Sequence, residues 1–256
     1  MILRELEEDM DLQALNRKFF FSFSLVFLAI GCESSKLPAD GKSAREVYSD
    51  AENLLRDGEF ENAGKKFKDI ETYFPYSKKA IVARIMSAYC NFKSGSYIDA
   101  IRELEIFLRY HPYHELVPYA MYLLAMSEYM IISAVGRDSE QAEKSRSAFI
   151  KLLNRFPKSR YAEDCKKRIV LLDDIIAAHE LLIGRYYQKR KSCLSAINRY
   201  NYVISRFSNT KSAEEALFRM VECCRNEGLS EEADNTISIL KARFPNGRWI
   251  KKLNGL

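Results

Sequence analysis

The chain has 256 residues, 47% of them apolar and 29% charged, so a body of this size buries enough surface to fold without disulfides or metals. Only 10 Gly and 6 Pro argue against many tight turns and for long helices. The formal charge is +5, and residues 32–256 carry 37 basic and 30 acidic side chains; these are scattered along the sequence, which fits solvated helix faces rather than a nucleic-acid stripe.

At the N-terminus, Asn16-Arg17-Lys18 precedes the apolar stretch Phe19 to Ile30, which ends in Ala29-Ile30-Gly31-Cys32. A segment that short cannot cross a hydrocarbon core, which needs about 20 residues. Basic flank, short apolar run and small residue before a cleavage point describe a secretory signal over residues 1–31. The cysteine makes it resemble a bacterial lipobox, with Ala29 where that signal usually has Leu. The resemblance implies that Cys32 is acylated and becomes the mature N-terminus; an ordinary signal with a coincidental cysteine is the alternative. Residues 1–9 are acidic, unlike a signal's leading segment, so Met10 is the expected translation start. Residues 32–43 read as a polar tether. Glu33 rather than Asp follows the cysteine, which by resemblance places the protein on the periplasmic face of the outer membrane.

The body, 44–256, repeats itself. Phe-Pro or His-Pro recurs at Phe74-Pro75, His111-Pro112, Phe156-Pro157 and Phe244-Pro245, with Phe207-Ser208 as a degenerate fifth. Twelve residues before each second member stands a small residue (Ala63, Ala100, Ser145, Ala196, Ala233), and four residues later a bulky one (Phe67, Leu104, Phe149, Tyr200, Ile237). The spacing resembles the tetratricopeptide repeat, a pair of antiparallel helices A and B. The small residue lets the helices approach, the bulky one fills the space above it, and proline ends the pair. The expected fold is all-α, a solenoid of five helix pairs starting near 44, 81, 118, 163 and 214. Intervals of 37, 37, 45 and 51 put 8 and 14 extra residues between the helices of repeats 3 and 4. The small residue of helix A then falls on Ala51, Ala88, Ala125, Val170 and Val221. Periodicity agrees: Ile101, Leu104, Phe107 and Leu108 share one helical face.

No GxSxG, HExxH, phosphate-binding glycine loop or GxGxxG is present, so no catalytic residue and no cofactor is expected. His111, His114 and His179 are too dispersed for a metal site, and His111-Pro112-Tyr113-His114 reads as a surface turn. Five cysteines remain beyond Cys32, none in CxxC spacing; buried small apolar residues are their expected role.

Residues 44–247 resemble the BamD family of outer-membrane assembly lipoproteins. The resemblance rests on Tyr119-Ala120-Met121-Tyr122, Arg137-Asp138, the run Phe156 to Tyr161, Lys167-Arg168-Ile169-Val170-Leu171-Leu172, Tyr186-Tyr187 and Ala196-Ile197-Asn198-Arg199. Lys191 stands where a Gly often follows the position of Arg190. The resemblance implies a non-catalytic scaffold. Its N-terminal repeats would receive unfolded outer-membrane protein precursors. Its C-terminal repeats would grip the POTRA region of a BamA-like barrel subunit, beside other assembly lipoproteins. Membrane attachment would come through acylated Cys32, and no nucleic acid is expected.

The repeat register supplies candidate residues for both contacts. Concave-wall positions of helix A fall on Tyr48 in repeat 1, Tyr89 and Phe92 in repeat 2, and Tyr119 and Tyr122 in repeat 3, with Arg45, Arg56 and Lys93 as cations. Such a wall suits an extended, aromatic-ended peptide and its carboxylate; packing between repeats is the alternative role for Tyr122 and Phe92. Asn198 and Arg199 are the candidate partner interface; a local salt bridge pinning the long insertion of repeat 4 is the alternative role. A periplasmic repeat adaptor coordinating envelope and cell-wall processes is the competing function; a solenoid-bearing cell-wall lyase is the enzyme alternative.

Overall fold

The computed structural model describes residues 41–135 and 139–253. The signal segment, Cys32, most of the tether and Arg137-Asp138 lie outside the described residues. Eleven helices follow one another among the described residues: α1 (Ala44–Arg56), α2 (Phe60–Tyr73), α3 (Lys78–Lys93), α4 (Tyr97–Tyr110), α5 (Val117–Val135), α6 (Ser139–Arg155), α7 (Ala162–Lys189), α8 (Cys193–Arg206), α9 (Lys211–Asn226), α10 (Ser230–Arg243) and the short α11 (Arg248–Leu253). No strand occurs among the described residues. From α1 to α10 each helix packs on the next, α11 packs back on α9, and A helices also pack on A helices at α1–α3, α3–α5 and α7–α9. This is a tetratricopeptide-type solenoid of five helix pairs closed by a terminal helix.

Local chemistry sets the ends. Ser43 and Glu46 form a capping box on α1: the Ser43 hydroxyl accepts from the Glu46 amide at 3.3 Å, and the Glu46 carboxylate accepts from the Ser43 amide at 2.7 Å. Ser77 caps α3 by accepting from the Lys79 amide. Helices α2, α4, α8 and α10 end on Phe74, His111, Phe207 and Phe244, with φ between −126° and −131°. Their ψ of 40–57° lies outside the helical region, which a following proline disfavours. Phe207 adopts the same conformation before Ser208, so the turn survives without one.

The A-to-B turns need the left-handed region, and Gly58, Gly95 and Gly228 supply it at φ 81°, 84° and 73°. In repeat 4 the same place is held by Lys191, at φ 62°. The backbone course is retained with a lysine where a glycine carries no steric cost.

The repeat pattern is the core pattern. Ala63, Ala100, Ser145, Ala196 and Ala233 are all buried, and Phe67, Leu104, Phe149 and Tyr200 are fully so above them. Ile237 is partly buried.

Two expectations from spacing are corrected. The 14 extra residues of repeat 4 do not form a segment between helices; they lengthen α7 to 28 residues, against 16 in α3. Its first half packs on α6, where Asp173 pairs with Arg146, and its second half pairs with α8. Val170 is accordingly 61% exposed instead of lying under α8. The close approach belongs to Gly184, where a Cβ would come within 2.4 Å of the Tyr200 ring. In repeat 3, part of the added length lies in α5, which has 19 residues.

Candidate functional site

Helices α1, α3 and α5 carry the five aromatic positions expected to line a groove. Tyr48, half-buried, packs edge-on against Phe67 at 5.3 Å, with the Lys79 ammonium 3.9 Å above its ring. Tyr89 is buried, with 7% of its surface exposed. Phe92 is half-buried and meets Tyr97 edge-on within its own repeat.

Tyr119 and Tyr122 join repeat 3 to the start of α7. Tyr122 stacks on Tyr161 with centroids 4.6 Å apart and 15° between planes, and its hydroxyl donates to Asp164 at 2.9 Å. Arg168 donates to the same carboxylate at 3.2 Å and lies 5.0 Å over Tyr129. Burial raises the Tyr122 phenol pKa above its ordinary range, and the bond to Asp164 adds to the shift, so the hydroxyl stays a donor. Tyr119 is shifted the same way, by burial and then by Tyr89. Tyr161 and Arg168 entered the sequence reading only among the runs that carry the resemblance, and Asp164 not at all. Their signal is positional: the Phe-Pro turn delivers Tyr161 against α5, and one helical turn separates Asp164 from Arg168.

In repeat 4, Arg199 pairs with Glu180 at 3.0 Å across α7 and α8. Glu180 is buried, whereas the Arg199 side chain is 45% exposed. Asn198 is exposed, and both residues line a hollow of about 400 Å³ with Tyr187, Ser195 and Tyr202. Tyr187 also borders a wider hollow of about 860 Å³, floored by Leu182, Tyr186, Arg185 and Arg219. Leu182 and Tyr186 are more than half exposed there. The sequence reading missed this hollow because it registered repeat 4 on the first half of α7 instead of the second.

The remaining candidates are structural. The His111 and His114 rings pack on Phe107 with centroids 5.5 and 5.6 Å away, and His114 Nδ1 accepts from the Leu116 amide. Burial lowers the His111 pKa, with Arg84 adding to the effect. All five body cysteines are free and buried. Among the described residues no three His, Cys, Asp or Glu gather as metal ligands, and no helix is long and apolar enough to cross a membrane.

Comparison with known proteins follows the same span. The outer membrane protein assembly factor BamD of Rickettsia prowazekii is 34% identical over 220 residues, covering 86% of this chain and 88% of that relative. BamD of Caulobacter vibrioides is 33% identical over 203 residues, covering 79% and 67%. BamD of Neisseria meningitidis serogroup A is 28% identical over 218 residues, covering 81% and 82%. The model of the YfiO family, described as outer membrane lipoprotein, matches residues 40–240. With a family match across nearly all of the helical body and relatives aligned over most of their length, the chain belongs to the YfiO/BamD family of outer-membrane lipoproteins.

Proposed function

We propose that the protein is a non-catalytic scaffold in the assembly of outer-membrane β-barrel proteins, held at the periplasmic face of the outer membrane by acyl chains on Cys32. Family membership over the helical body supports the role. In this reading the wall formed by Tyr48, Phe92, Tyr119 and Tyr122, with the buried Tyr89 as part of its support, receives the C-terminal segment of an unfolded barrel precursor. The observation that carries it is the side-by-side packing of α1, α3 and α5, the helices that bear all five aromatics. Shape and apolar burial dominate recognition, because exposed pairs from Arg45, Arg56 or Lys93 to a terminal carboxylate contribute about 1 kcal/mol or less.

The second contact, to the POTRA region of the barrel subunit, uses Asn198 and Arg199 together with the adjoining hollow at Leu182 and Tyr186. Two neighbouring concavities sharing Tyr187, one of them floored by exposed apolar side chains, support that reading. Other assembly lipoproteins complete the complex.

Photocrosslinking tests the groove. A photoreactive residue at position 92 or 122 is expected to capture the C-terminal peptide of a barrel precursor, and one placed in α10 is not. Capture confined to repeats 4 and 5 would overturn the assignment.

A further inference from the structure

The helix ends of repeats 1–3 are not alike on the two edges of the solenoid. The three B-to-A turns, 73–79, 109–116 and 155–161, hold six Lys or Arg against one acid, Glu115. The two described A-to-B turns of the same repeats, 56–61 and 93–99, hold two basic residues against four acidic. Because the helices of each pair are antiparallel, all B-to-A turns of these repeats share one edge. That edge is cationic and the opposite one acidic.

Part of this pattern follows from helix electrostatics, since Arg109 and Arg155 stand at helix C-termini where cations are favoured. Lys78 and Lys79 do not fit that account. They open α3, whose first turn contains no acid, and so oppose the helix dipole. Lys78, Arg109 and Lys158 are exposed and take part in no ion pair among the described residues. Lys79 lies over the Tyr48 ring, so Lys78 is the cation that both opposes the dipole and lacks an ion pair; with Arg109 and Lys158 it is open to an anion outside the chain.

The same edge bears exposed aromatics. Tyr76 and Tyr113 occupy equivalent turn positions one repeat apart and are 101% and 96% exposed, and Tyr110 is 69% exposed. At helix spacings of roughly 10 Å, successive tips of this kind stand about 20 Å apart along a line. A flat counterpart meets such a row, and tyrosine with lysine and arginine is the side-chain set that favours the polar boundary of a bilayer.

We propose that the B-to-A edge of repeats 1–3 rests on an anionic phospholipid surface, with Tyr76, Tyr110 and Tyr113 in the headgroup layer and Lys78, Arg109 and Lys158 on phosphates. The inference builds on the outer-membrane placement proposed above and adds an orientation: the helix axes of these repeats stand across the membrane plane, acidic edge outward.

The test uses the full chain, reconstituted in vesicles containing one third phosphatidylglycerol or phosphatidylcholine alone, with a photoreactive residue at 76, 113 or, as the opposite edge, 59. Positions 76 and 113 are expected to crosslink lipid in the anionic vesicles, and position 59 is not. Cations near an anionic leaflet each contribute roughly fivefold to binding. Reversal of all three (Lys78→Glu, Arg109→Glu, Lys158→Glu) is therefore expected to cut the yield at least tenfold, while flotation and recovery of the barrel subunit persist. A chain that floats but crosslinks equally from 59 and 113, crosslinks no lipid, or crosslinks protein from 76 and 113 instead overturns the edge alone. Equal yields in the two vesicle compositions do so as well. A chain that floats with neither composition overturns the edge and the anchored placement together.

Discussion

Arg199→Leu separates the two roles open to that arginine. The change removes the partner 3.0 Å from a buried Glu180 carboxylate, but the guanidinium it deletes is itself 45% exposed. Breaking a fully buried pair costs about 3–5 kcal/mol, and an exposed pair contributes about 1 kcal/mol or less. This half-buried pair therefore sits near 2 kcal/mol. The converse change is milder, because Glu180→Gln strands an arginine that water still reaches, at less than about 1 kcal/mol. The double variant is expected to cost less than the sum of the two, with a coupling on the order of 1 kcal/mol. Urea unfolding followed by helical circular dichroism measures all three. The fluorescence of the sole tryptophan, Trp249, which packs on Phe218 at 4.9 Å, reports repeat 5 separately. If Arg199→Leu destabilises no more than Glu180→Gln, the reasoning from asymmetric burial fails. Where the double variant regains most of the fold yet recovers no barrel subunit, the arginine acts in the contact itself.

Lys191→Gly removes a side chain from φ 62° and is expected to stabilise the chain by about 1 kcal/mol, seen as a rise in urea midpoint. Gly184→Ala gains helix propensity of about 1 kcal/mol, but its Cβ meets the Tyr200 ring at 2.4 Å. That ring is buried and its hydroxyl is bonded to Gln188 at 2.8 Å, so net destabilisation of about 1–3 kcal/mol is expected; a neutral outcome would show that α7 and α8 can separate. Burial raises the thiols of Cys90 and Cys165 from 9.0 to about 12 and about 11. Iodoacetamide near pH 8 is therefore expected to leave both unmodified in the native chain and to label both in urea, read by mass spectrometry. Their contribution to stability is complete below pH 9.0 and is lost as pH rises through 11 and 12.

The helix pairs were legible because their signal is covalent in spacing: a small residue, a bulky one four later, then a turn, at five places. Those residues form the buried seam between A and B helices, and burial leaves little freedom in their identity. Repeat 4 was legible only in its B helix. Counting back a standard length from the turn put helix A on Val170, while the helix that faces α8 lies 14 residues further on, at Gly184. A glycine inside a long helical pattern was the available clue, since only a close neighbour makes it worth its loss of propensity. Among candidate site residues, register gave the aromatic rows of α1, α3 and α5 but not their partners. Tyr161 and Asp164 reach Tyr122 from 39 and 42 positions away, across a turn whose course periodicity does not specify.

Helix α7 runs 28 residues without a proline, a rod of about 42 Å. One end is clamped to repeat 3 by Asp173–Arg146 and Tyr122–Asp164, the other to repeats 4 and 5 by Glu180–Arg199 and Gln188–Glu222. No flexible joint lies between the clamps, so the solenoid has a lever where other repeats have a loop. Asp173 and Gln188 stand about 22 Å apart along it, so a tilt of about 10° at the repeat 3 clamp carries the far end through roughly 4 Å. A tilt imposed at the Tyr122–Asp164 bond would thereby change the angle at which the hollow beside Tyr186 is presented.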